Sequence, residues 1–277
     1  MKPGVKWLIL LLPGLGLILA ALALPPIAQP PQYHDFADQR ACFGLPNCLD
    51  TASNALFVLA GLIGLRFLYS PAGRRAFVEA REAWPYALFF FAAILIGFGS
   101  GYYHLAPDNA SLLWDRAAIA LAFMAWLGAI LCERVGLKAG LILLPLLLIA
   151  GLSSVFYWGW SEARGAGDLR PYLLMQAYPM LLIPLLLWLY PPRYSGGRDI
   201  LIVIGLYLLA LLFDLSDHAV FGLTGGLVSG HTLKHVVAAL AVFVVARHLR
   251  RRQPPRSAAP RGGAMPALGR PGGGQTP

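Results

Sequence analysis

His231 and His235 stand four residues apart, so on a helix they share one face about a turn apart. Two imidazoles at that spacing chelate a metal ion on the helices of zinc proteases. The pair is weak evidence alone, because His residues also occur at this spacing without a metal. His104 adds a third imidazole by topology. It closes an apolar run that crosses from one side to the other, and His231 opens the last run on the side where the His104 run ends. All three therefore sit at similar depth, where an unpartnered His is costly. Three His with an open fourth position is the arrangement of a catalytic zinc. Ser100 lies one turn before His104, and Asp115 opens the next run at the same end. A carboxylate there can act as the base that hydrolysis requires. Read singly, Asp115 is also an N-terminal helix charge or ion-pair partner, and Ser100 a small packing residue.

These residues need a frame of helices. The chain has 277 residues, 58% hydrophobic and 13% charged, against about 25% charged in a soluble domain. Apolar runs near the length of a membrane crossing recur throughout, and in lipid the backbone must bond to itself, so an all-α polytopic bundle is expected. Eight spans are expected, at 7–24, 52–68, 84–103, 112–131, 139–157, 172–190, 200–213 and 231–245. The last two are the weakest; the seventh runs into Asp214 and Asp217, and the eighth carries two His and a Lys. The first reads either as a retained anchor or as a signal-like helix cleaved after Ala21-Leu22-Ala23. The expected division is an N-terminal helix unit over 1–31, a seven-helix core over 32–250 and a disordered cytoplasmic tail over 251–277. Residues 214–230 read as a glycine-rich outer loop.

With eight spans, every Lys and Arg except Arg40, Arg116, Arg164, Arg170 and Lys234 falls on the side of the termini. The positive-inside rule makes that side cytoplasmic and puts the His cluster near the outer face. Charge scattered over short loops does not suit nucleic acid, so no nucleic-acid partner is expected. Cys42 and Cys48 are placed to form a disulfide outside, or are two small loop residues. The remaining His34, His218 and His248 stand outside the pattern.

The set Ser100-x-x-x-His104, Asp115 and His231-x-x-x-His235, with 50-Asp-Thr-Ala-Ser-Asn-54 and 230-Gly-His-Thr-Leu-Lys-His-235, resembles the alkaline ceramidase family in its bacterial branch. That family belongs to a superfamily of seven-helix membrane hydrolases that also holds the adiponectin-receptor-like proteins. The resemblance covers residues 32–250 and implies one catalytic Zn²⁺ on His104, His231 and His235. It implies that Asp115 shuttles the proton and that Ser100 helps hold water or the oxyanion. It also implies cleavage of the amide of ceramide or a related N-acyl lipid to a sphingoid base or amine and a fatty acid, in a bacterial inner membrane.

Two positions depart from the family pattern. Lys234 replaces an aromatic residue before the last His, and either binds an acidic headgroup or product carboxylate or reaches to the interface. For the family's Ca²⁺, Asp35, Asp38, Asn47 and Asp50 offer oxygens, but their spacing fits badly and Cys48 stands near an expected Glu. Pairing of Asp38 with Arg40 is the competing reading. Two other functions compete: a receptor-like module that binds lipid with little turnover, and a transporter, which would gather its polar residues near the midplane.

Overall fold

The computed structural model describes residues 3–253. The expected disordered tail lies, from residue 254 on, outside the described residues. The chain is an all-α bundle, with no strand among the described residues. In chain order the helices are α1 (Pro3–Ala23), α2 (Cys48–Ser53), α3 (Ala55–Tyr69), α4 (Pro71–Arg75), α5 (Ala83–Leu105), α6 (Asn109–Arg134), α7 (Leu137–Ala163), α8 (Arg170–Leu189), α9 (Gly197–Leu215), α10 (Asp217–Leu223) and α11 (Gly230–Arg251). Seven stretches are long and apolar enough to cross a membrane, and an eighth counts if α9 and α10 form one span. The chain is therefore a membrane protein.

Seven long helices close a ring in the order α3, α5, α6, α7, α8, α9, α11 and back to α3, while α1 packs outside it against α8. Helix α6 is the most enclosed. Its start is fixed locally: Asp108 accepts from the backbone N–H of Ser111 at 2.7 Å and completes a capping box, an arrangement contributing about 1 kcal/mol. Helix α11 starts similarly, with Ser229 accepting from the N–H of Thr232 at 2.9 Å. These caps set where Asp115 and His231 enter the bundle.

The expected loop over 214–230 is instead partly helical. Helix α9 continues to Leu215, breaks at Ser216, and turns by 79° into α10. The bend puts Asp214 and Asp217 against the start of α11. Gly230 is the contact that permits this. A Cβ there would meet the Phe213 carbonyl oxygen and lie 2.7 Å from the Cα of Asp217. Glycine at this position is a packing requirement rather than a hinge.

The segment after α1 folds over the same end of the ring. The backbone N–H of Leu169 donates to Ile27 at 2.8 Å, and that of Gln29 donates to Glu162 Oε1 at 2.6 Å. His34 bridges the hydroxyl of Tyr103 at 2.9 Å and Asn109 Oδ1 at 3.0 Å. His218 contacts the carbonyl of Asp35 at 3.1 Å. Cys42 and Cys48 are joined as a disulfide. At the far end, Arg252, just past α11, pairs with Glu133 of α6, and Arg193, between α8 and α9, pairs with Glu82 before α5 at 2.8 Å.

Candidate metal centre

His104 comes from the last turn of α5, and His231 and His235 from the first turns of α11. All three are buried. Their ring centroids form a near-equilateral triangle, with sides of 4.8, 5.0 and 4.8 Å. Among the described residues this is the only group of three or more His, Cys, Asp or Glu close enough to share an ion.

Two of the nitrogens are spaced as a metal would require, and the third lies within 4.8 Å of both. Nε2 of His104 and Nε2 of His231 face each other at 3.3 Å. Two imidazole nitrogens on a tetrahedral zinc, each about 2.0–2.1 Å from it, are separated by roughly 3.3 Å. Lone pairs at that distance repel unless a cation or proton lies between them. Two of the three outer nitrogens are held from behind. Nδ1 of His231 lies 3.0 Å from Asp214 Oδ1, so it carries the proton and leaves Nε2 free to ligate. Nδ1 of His235 lies 3.1 Å from the carbonyl of Asp50 and 2.9 Å from Ser53 Oγ. Nδ1 of His104 is buried without a partner. The residues present therefore fit a divalent cation bound through three imidazoles.

Phe36 covers the cluster, with ring centroids 4.6 Å from His104 and 4.7 Å from His231. Asp217 braces it, accepting from the backbone N–H of His231 at 2.7 Å and from that of Ala37 at 2.9 Å. Asn47 donates to the carbonyl of His104 at 2.8 Å.

Ser100, Asp115, Lys234 and His235 line one cavity of ≈ 370 Å³ beside the triad. Asp115 Oδ1 is buried and accepts no hydrogen bond, so a carboxylate stands unsatisfied within reach of whatever fills the cavity. Gly99 brings it there: a Cβ on Gly99 would lie 2.9 Å from the Trp114 carbonyl oxygen, so α5 and α6 cross closely just where Ser100 and Asp115 enter. Lys234 lines the cavity but is paired with Asp214 at 3.0 Å.

Away from this end the cavity wall is apolar, from Ile96, Trp126, Val203 and Val242 among others. Helices α8 and α9 pack only thinly. Leu173, Leu211 and Leu215 line the cavity along this seam and are exposed, at 43%, 40% and 79%.

The four oxygen residues considered for calcium do not converge. Asp35 accepts from Gln39 at 2.8 Å, and Asp38 pairs with Arg40 at 2.7 Å. Asn47 serves His104. Asp50 Oδ1 accepts from Ser229 at 3.1 Å and from Thr232, bracing the start of α11.

Asp214, Asp217, Phe36 and Gln29 are the site residues that sequence reasoning missed. The ionisable pair at the end of a short apolar run was the one available signal for the two Asp. Gln29 and Pro30 line the cavity from the segment 25–31 assigned to the N-terminal unit, so that segment belongs structurally with the core. No protein-family model and no curated protein matches the chain.

Proposed function

We propose that this membrane protein is a zinc-dependent amidohydrolase that cleaves the amide of ceramide or a related N-acyl lipid. The observation that carries the reading is the convergence of three buried imidazoles beside an unpartnered buried carboxylate, Asp115, in a cavity whose far wall is apolar. The resemblance of the same residues to the alkaline ceramidases supplies the amide.

A zinc ion bound there would supply Lewis acidity. Asp115 accepts the proton of the attacking water and returns it to the leaving amine. Ser100, one turn before His104, helps hold the water or the developing oxyanion. The apolar wall takes the acyl chain, and the α8–α9 seam is its entrance. A lipid entering sideways never has to leave the bilayer.

The basic residues Arg247, Arg250 and Arg251 at the end of α11 opposite the triad support cytoplasmic termini. The Cys42–Cys48 disulfide supports an oxidising outer side for the triad, as in a bacterial inner membrane.

The test uses the purified full chain with and without a chelator, and follows release of fatty acid from ceramide and other N-acyl lipids by mass spectrometry. Release that depends on zinc is expected. Asp115→Asn should retain zinc and lose turnover. A fully active Asp115→Asn would overturn the assigned mechanism, and absence of release from every N-acyl lipid would overturn the activity.

A further inference from the structure

Arg116 follows Asp115 on α6 and lines the same cavity, yet the hydrolytic reading gives it no task. It is 5% exposed. Its guanidinium carbon lies 4.2 Å from the ring centroid of Trp158, 5.0 Å from that of Tyr172 and 5.3 Å from that of Tyr33. Nη2 donates to Gln29 Oε1 at 2.6 Å. Nη1 is buried and donates to nothing.

Among the described residues Arg116 has no carboxylate partner, whereas the other cation of the cavity, Lys234, has Asp214 at 3.0 Å. A buried cation with no counter-ion is costly. Aromatic faces offset part of that cost but offer no acceptor to the unpaired Nη1. Arg cannot escape by losing its proton as a buried Lys can. The group that completes it is an oxyanion brought by the ligand, for which guanidinium is the matching donor.

The side of the amide follows from depth. Arg116 stands with Gln29 and Tyr33 at the end covered by the segment after α1. Trp126, on the apolar wall, is ten residues further along α6, about 15 Å deeper. An acyl chain lying along that wall leaves the amine side of the amide toward Arg116.

We propose that Arg116, held by Gln29 and its three aromatic neighbours, is an anion subsite for a carboxylate or phosphate on the amine side of an N-acyl lipid. The proposal rests on the hydrolase reading for the position of the amide, but binding tests it separately.

The experiment measures binding to the purified full chain in neutral nanodiscs. N-palmitoylserine is compared with its methyl ester, and ceramide 1-phosphate with ceramide. The wild type should bind each anionic lipid at least tenfold tighter than its neutral counterpart. That ratio should fall toward one in Arg116→Gln and partly recover in Arg116→Lys, with thermal melts confirming folded protein. Equal wild-type binding of charged and neutral lipids overturns the proposal whether or not the variants fold. A ratio unchanged in Arg116→Gln overturns it as well. Palmitate alone is the remaining arm: if Arg116→Gln weakens palmitate and spares the ratios, Arg116 serves the product carboxylate and the amine-side assignment falls. Fatty-acid release is followed on the same lipids. Arg116-dependent binding without release leaves the subsite standing and sinks the hydrolase, and release without any Arg116-dependent binding ratio does the reverse.

Discussion

Asp214 Oδ1 lies 3.0 Å from Nδ1 of His231 and so fixes which nitrogen of that imidazole faces the other two. The same oxygen lies 3.0 Å from Nζ of Lys234, so one carboxylate serves both side chains. A carboxylate behind a metal-binding His orients the ring and raises its basicity, and its loss typically costs 10–100-fold in metal affinity. Asp214→Asn should therefore weaken zinc binding by about 10–100-fold while leaving the helices folded. Competition with a zinc-sensitive dye measures this. Unchanged affinity would show that Asp214 only neutralises Lys234.

The second prediction concerns removal of the metal. Three imidazoles in a 4.8–5.0 Å triangle are placed to share an ion only in the folded chain. Zinc at one hundred times its dissociation constant then stabilises the fold by about 2.7 kcal/mol. For a chain of this size that is a fall in Tm of about 5–10 °C on chelation. His104→Ala should remove the response, since a two-His site binds far more weakly. Thermal scans in detergent with added zinc or chelator check it. A melt indifferent to zinc in the wild type would remove the metal centre.

Gly230 gives a prediction about the scaffold. A methyl group there runs into the carbonyl of Phe213 and the backbone of Asp217, so Gly230→Ala must push α11 away from the α9–α10 bend. Overpacking of this kind costs about 1–3 kcal/mol. It should also weaken zinc binding, because the bend carries Asp214 and Asp217. Gly222→Ala is the control, since its Cβ meets nothing within 4 Å. Equal stability and zinc affinity in the two variants would show that the bend does not position the site.

The spans were legible in the sequence because mean apolarity over twenty residues needs no partner. His231 and His235 were legible because spacing on one helix is local, and His104 because counting crossings fixes which ends meet. Asp214 was not, because its role depends on the 79° break after Leu215, and nothing before the break distinguishes it from a charge ending a span. Arg116 read only as a charge on the outer side; its surroundings come from Gln29, Tyr33, Trp158 and Tyr172, on three separate segments. The pairing of Asp38 with Arg40 was legible too, because two residues of opposite charge two apart need no distant partner; Asp35, Asn47 and Asp50, whose spacing fits calcium badly, go to Gln39, the His104 carbonyl and Ser229.

The last prediction is a pH dependence of the segment that covers the triad. Asp38 is 1% exposed and meets the Arg40 guanidinium through both oxygens, at 2.7 and 2.8 Å, while Arg40 also donates to the carbonyl of Leu227 at 3.0 Å. That ties the covering segment to the turn before α11. The hydrogen bonds from Arg40 hold the Asp38 carboxyl below its ordinary 3.8, against the opposing effect of burial. In the unfolded chain Asp38 titrates at its ordinary value, so the folded state binds fewer protons in the interval between the two. Its contribution is therefore complete above pH 3.8 and fades as pH falls through the lower folded value. Arg40→Met removes the guanidinium and its two hydrogen bonds and leaves burial opposed only by the backbone N–H of residue 40, 3.2 Å from Asp38 Oδ1, so the carboxyl rises relative to the wild type. Acid opening of the segment should then begin at higher pH than in the wild type. Hydrogen exchange of residues 35–41 against pH reads the shift directly. Identical pH profiles for the two proteins would show that the Asp38–Arg40 pair does not hold the segment in place.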